Sequence, residues 1–227
     1  MNAQGMLEQL LKSGLSMIEG KPPAQGGRSG SGVDWGQFGA GAAAGGALGL
    51  LLGSKRGRRF GGKALKYGSV AALGLLAYKA YGNWQAQQQA QQGAAAAPAA
   101  PRTVNLLPAP EVEQHSRAIL KSMIAAAKAD GHLDERERGL VEAELQRIAA
   151  DLDTRRWFED ELRRPLDPVE LARSAGTPEM AAEMYLASLL VADETSFMER
   201  AYLDELARQM KLPDGLKLEL ERQALTA

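Results

Sequence analysis

LLVADETSFMERAYLDELARQMKLP, residues 189–213, is the stretch whose reading decides the fold. An apolar helical run closes at Ala192, and Asp193, Glu194 and Thr195 break it. Ser196 then stands as an N-cap with Glu199 three residues on, a spacing at which each side chain serves the other's backbone N–H. The helix that follows, about 197–210, is expected to bury Phe197, Ala201, Leu206 and Met210. The same order occurs in AAAKADGHLDERERGLVEAEL, residues 125–145. There a helix closes at Ala129-Asp130, Asp134 caps, Glu137 takes the third position, and Glu137-Arg138 matches Glu199-Arg200. The second loop is one residue shorter and carries Glu194 where the first has Gly131. Two helix–acidic loop–helix units result. Neither buries its apolar face alone, so they are expected to pack face to face about a local pseudo-twofold axis.

Outward from these units the pattern stays helical, with no strand signal after Glu111. A helix over 112–129 places Ile119, Leu120, Met123, Ile124 and Ala127 on one face; a second, about 135–152, places Leu140, Val141, Leu145, Ile148 and Leu152. A third, about 154–164, carries Trp157, Phe158 and Leu162. Asp167-Pro168 and Thr177-Pro178 each read as an N-cap followed by proline at the first helical position. They open a short helix at 168–174 and a long one at 178–192. The long one is apolar on more than one face (Met180, Met184, Leu186, Leu189, Leu190, Val191) and should be central. A last helix starts near Pro213. The domain spans 111–227 and its class is all-α.

The first 110 residues differ in kind. They carry 11 Lys/Arg against 3 Asp/Glu, whereas residues 111–227 carry 16 against 25. Residues 1–19 hold an amphipathic helix with Leu7, Leu10, Leu11, Leu15 and Ile18 on one face, suited to a membrane surface or a partner. Residues 20–34, rich in Gly, Pro and Ser, read as a linker. Residues 35–53, WGQFGAGAAAGGALGLLLG, hold no charge and are long enough as a helix to cross the hydrocarbon of a bilayer. Gly41, Gly45, Gly49 and Gly53 share one face, the spacing that lets helices approach closely in lipid and self-associate. A basic loop follows at 54–63, with Lys55, Arg56, Arg58, Arg59 and Lys63 on the expected cytoplasmic side.

Residues 64–82 form a second apolar segment within a membrane region ending at residue 84. Either it folds back against the first as a hairpin, which the small-residue spacing of Ala64, Gly68 and Ala72 favours, or it lies as an amphipathic helix on the cytoplasmic face. One span leaves the C-terminal domain in the cytoplasm; two return it to the far side. Residues 85–110 read as a linker, whose Gln/Ala part can extend a helix and whose Ala/Pro part is an extended spacer. No secretory signal peptide is expected from the N-terminal pattern.

Several functions are excluded or disfavoured. With no cysteine there is no disulfide, thiolate nucleophile or cysteine metal site. The basic excess lies outside the folded half, unlike that of a nucleic-acid binder. Gly57 to Lys63 matches GxxxxGK, but Ala64 replaces the Ser/Thr that holds Mg²⁺ and no strand precedes it, so nucleotide binding is not expected. The two histidines, His115 and His132, are far apart, and no G-x-S-x-G or H-E-x-x-H occurs.

ADGHLDERE, FMERAYL and PLDP at 165–168, together with the Gly-rich segment and the Ala/Pro linker, carry a resemblance. Residues 125–145 and 189–213 resemble the two halves of the tellurite-resistance TerB-like domain. The whole chain resembles the YebE-like bacterial inner-membrane family of unknown function. The resemblance implies a C-terminal bundle of about seven helices, an inner-membrane location and no catalytic activity.

Asp130, Asp134, Glu137, Asp193 and Glu199 would cluster if the units pack about a twofold, and oxygen ligands of that kind suit a hard cation such as Ca²⁺. TerB relatives are associated with divalent metal at equivalent acidic loops. Neither loop has EF-hand spacing, and caps alone account for Asp134, Ser196, Glu137 and Glu199. The expected function is a membrane-anchored helical interaction or scaffold module without cofactor, whose partners are the bilayer, an unidentified protein and further copies of itself. The alternative is a divalent-cation sensor.

Overall fold

The computed structural model describes residues 2–8, 70–92, 100–129, 152–192 and 196–226. Residues 3–8 are helical. Then come α1 (Val70–Gln92), a 3₁₀ turn (Val104–Leu106), α2 (Ala109–Ala127), α3 (Leu152–Arg163), α4 (Pro168–Ala172), α5 (Pro178–Val191), α6 (Phe197–Gln209) and α7 (Asp214–Thr226). Every regular element among the described residues is helical, as the sequence pattern requires.

The helix boundaries follow from local chemistry. Asp167 accepts from the Val169 and Glu170 N–H groups and Thr177 from that of Met180, each ahead of a proline that has no N–H to satisfy. Ser196 accepts from Glu199 N at 3.4 Å, as the capping pattern predicts. Helix α6 ends in a Schellman turn: Leu212 N–H reaches Ala207 O, Lys211 N–H reaches Arg208 O, and Lys211 takes φ 54°. Pro213 follows and closes off further helix.

Helix α5 is the axis of the body. It is buried on nearly all sides and packs on α1, α2, α6 and α7, the central position its all-round apolarity predicts. Its Tyr185, Met184 and Leu186 meet Ile119 and Leu120 of α2, Leu206 of α6 and Leu216 of α7 in one core.

The buried face of α6 differs from the expected one. Phe197 is 75% exposed, and Met198 and Ala201 are exposed with it. Helix α6 instead buries Glu199, Tyr202, Leu203, Leu206 and Ala207, a stripe rotated away from Phe197. Leu152, expected on an apolar face, is 62% exposed at the start of α3.

The body also extends N-terminal to Glu111. Helix α1 runs from the expected second apolar segment, 64–82, into the expected linker, 85–110. It packs on α7, α5 and the 3₁₀ turn. Its Val70, Leu73, Ala77 and Ala80 join the core. No helix among the described residues is long and apolar enough to cross a membrane. The expected span 35–53, with Gly41, Gly45, Gly49 and Gly53, lies outside the described residues. So do the linker 20–34, the basic loop 54–63 and residues 135–151 of the second helix expected in the C-terminal domain. The N-terminal helical segment docks on its own chain: Ala3, Met6 and Leu7 are fully buried, and Glu113 of α2 accepts from Ala3 N (2.9 Å) and Gln4 N (3.1 Å).

Gly74 sets how closely α1 meets the 3₁₀ turn. A Cβ there would lie 2.6 Å from Asn105 Oδ1, 2.7 Å from Val104 Cγ1 and 2.9 Å from Asn105 N. The backbone nitrogen cannot swing aside, so Gly74→Ala should destabilise the protein by about 1–3 kcal/mol through overpacking. Gly82 on the same helix has nothing within 4 Å, so Gly82→Ala should be neutral or stabilise by up to about 1 kcal/mol. Urea denaturation of the two variants checks this; equal midpoints would contradict the close approach at Gly74.

Candidate functional site

The least expected feature of the core is a carboxylate. Glu183 sits midway along α5, among Met180, Ala182, Met184 and Leu186, with 0% of its surface exposed. Burying a charge is costly unless it is paired and hydrogen-bonded. Both oxygens are engaged: Oε2 lies 2.6 Å from His115 Nδ1 on α2, and Oε1 accepts from Val104 N in the 3₁₀ turn at 2.5 Å. His115 is itself buried. Beside it, fully buried Thr103 donates through Oγ1 to Asn105 Oδ1 at 2.7 Å. One side chain thus joins α5, α2 and the turn that seats on Gly74.

A second carboxylate joins α7 to α1. Glu219 accepts from Asn83 of α1 at 2.7 Å, from Gln223 at 2.9 Å and from Arg222 at 2.5 and 2.7 Å. Arg222 foremost, with Gln223 and Asn83, outweighs burial and pushes the Glu219 carboxyl down to about 2. A third link runs from α5 to α7, where the Tyr185 hydroxyl donates to Glu221 at 2.9 Å. Burial, then the charge and hydrogen bond of Glu221, raise that phenol far above its ordinary range.

Charges also knot α2, α3 and α4. Lys121 lies 3.9 Å from Glu161 and 3.8 Å from Glu170, and Arg164 lies 3.5 and 3.0 Å from the same two. Lys128, at the end of α2, donates to the Glu161 and Arg164 carbonyls at the end of α3, where a cation offsets the helix dipole.

A groove of about 640 Å³ opens between α1, the α4–α5 loop and the α6–α7 turn. Neither Glu183 nor His115 lines it. Tyr81 and Trp84 form its α1 wall, edge to face with centroids 5.3 Å apart. Trp84 Nε1 is buried without an acceptor, against Gly215, where a Cβ would lie 3.2 Å away. Among the described residues that line it there is no Asp, Glu or His.

Of the sequence-derived metal candidates, Asp130, Asp134, Glu137 and Asp193 lie outside the described residues. Glu199 is buried at the third position of α6, its N–H held by Ser196. Among the described residues no three His, Asp or Glu side chains are grouped to hold a metal ion. Sequence reasoning passes over Glu183, although a lone acid in MAAEMYLASLLV is a signal. It notes His115 only for its remoteness from His132, yet His115 lies one turn before buried Ile119 on the same face.

The model of a family described as "Protein of unknown function (DUF533)" matches residues 37–224. Among curated proteins, the "Uncharacterized protein in ampR 5'region" of Yersinia enterocolitica is 31% identical over 121 residues, which cover 51% of this chain and 87% of that protein. No solved structure matches.

Two expectations follow. Removing one partner of the buried pair strands the other, so Glu183→Ala and His115→Ala should each cost about 3–5 kcal/mol. The two changes combined should cost less than their sum; additive values in a double-mutant cycle would show that the pair is not coupled. Glu219 has its folded-state value depressed, so its contribution is full above the ordinary carboxylate value of 4.5 and is lost as pH falls towards 2. Glu219→Gln should therefore lower the urea midpoint at pH 7 and flatten its fall between pH 4.5 and 2; parallel wild-type and variant curves would contradict this.

Proposed function

The chain belongs to the DUF533 family, and on that premise we propose that it is a TerB-like helical interaction module, anchored at the bacterial inner membrane and without catalytic activity. One observation carries this reading. Three buried or half-buried polar side chains join helices, Glu183 to His115 and the 3₁₀ turn, Glu219 to Asn83, Tyr185 to Glu221, while the groove mixes apolar and aromatic walls with Arg173, Thr177, Gln209 and Lys211. A braced body with a groove of mixed apolar and polar lining suits recognition. The anchor is assigned to residues 35–53 on their chargeless length, and self-association to the Gly41, Gly45, Gly49 and Gly53 face.

Fractionation of cells expressing the full chain tests the anchor. The protein should sediment with membranes and be released by detergent but not by alkaline carbonate. Gly45→Leu with Gly49→Leu should then reduce the oligomer size measured in detergent. Full-length protein in the supernatant of a detergent-free membrane spin would overturn the membrane assignment.

A further inference from the structure

We infer that the groove between α1, the α4–α5 loop and the α6–α7 turn docks an acidic, apolar peptide segment of a partner protein. The inference rests on the interaction-module reading and names the chemistry of its partner.

The walls supply the apolar half of the argument. Tyr81 and Trp84 face Ala172, Pro178, Met210 and Leu216 across the opening. A volume of about 640 Å³ is in the range of sites that enclose a ligand of several side chains. Aromatic and proline surfaces of this kind lose little conformational freedom when a peptide is laid on them.

The charges supply the acidic half. Arg173 and Lys211 line it, both exposed, and among the described residues no Asp or Glu does. Neither cation makes an ion pair among the described residues. The small cavity beside α4 is the contrast, for there Lys121 and Arg164 are matched by Glu161 and Glu170. Lys211 is also held in place, since the Schellman turn fixes its backbone at φ 54°. In a half of the chain with 16 Lys/Arg against 25 Asp/Glu, two unmatched cations on one apolar groove are a local reversal of sign. Complementary charge across an interface sets partner choice and register. The peptide's carboxylates seat on Arg173 and Lys211.

The test is a random dodecapeptide library displayed on phage and panned against the full chain, purified without anionic detergent. Enriched peptides should combine Asp or Glu with apolar residues. Resynthesised with a fluorophore, they should bind at least tenfold more weakly when their acids become Asn or Gln. The same loss is expected for Arg173→Gln with Lys211→Asn, Asn being a residue that tolerates positive φ. Ala175→Trp, which fills the groove without touching a charge, should also abolish binding. Circular dichroism and thermal melts matching wild type establish that each variant is folded.

Selected peptides that lack acids, or that bind both variants as tightly as wild type, overturn this inference and leave the interaction-module reading standing. Selection of no peptide at all overturns both. Arg173-dependent binding to phosphatidylglycerol vesicles without peptide binding identifies a lipid occupant and also overturns it. So does sedimentation showing that a second copy fills the groove and is released by Ala175→Trp.

Discussion

A single buried carboxylate constrains the rest of the molecule. Glu183 lies in the most apolar of the described helices, where an unpaired charge is not sustainable, and it is satisfied by groups from two other elements. A hydrophobic contact tolerates sliding by a turn. A carboxylate with both oxygens committed does not, because displacement leaves at least one buried polar group without a partner. Such a pair contributes little net stability beside an apolar replacement of equal volume, but it restricts how α5, α2 and the 3₁₀ turn may be arranged. That restriction is then passed on: the turn seats on Gly74, Gly74 lies in α1, and α1 is bonded through Asn83 to Glu219 of α7.

The helix caps and the central helix are legible in the sequence because they depend on near neighbours. Asp167, Thr177 and Ser196 each cap as their spacing implies, and α5 is central because its apolarity leaves no polar face for solvent. The buried stripe of α6 is harder to read. Phe197 attracts attention by its size, but Tyr202, Leu203, Leu206 and Ala207 define a face that leaves it outside. Helix α1 misleads for a different reason. Tyr81 and Trp84 suit a membrane interface and a protein groove equally well, since both have an apolar body and a polar tip. Gln and Ala beyond residue 84 are good helix formers, and α1 continues through them to Gln92, the extension that the Gln/Ala composition allows.

The candidate site is largely invisible from sequence. The groove is assembled from α1, the α4–α5 loop and the α6–α7 turn, elements far apart along the chain. No local pattern records that Arg173 and Lys211 would line one groove, or that Glu183 and His115, 68 residues apart, would touch. Buried polar pairs are properties of the tertiary arrangement. Their signature in sequence is negative: an acid in a helix that has no other reason to carry one.

The mooring of the N-terminal segment has a consequence for topology. Ala3 and Gln4 are tied to Glu113 of α2, and α1 is packed on α5 and α7 of the same body. Residues 8 and 70 are therefore both held by one body, so the two ends of the chain between them are fixed with respect to each other.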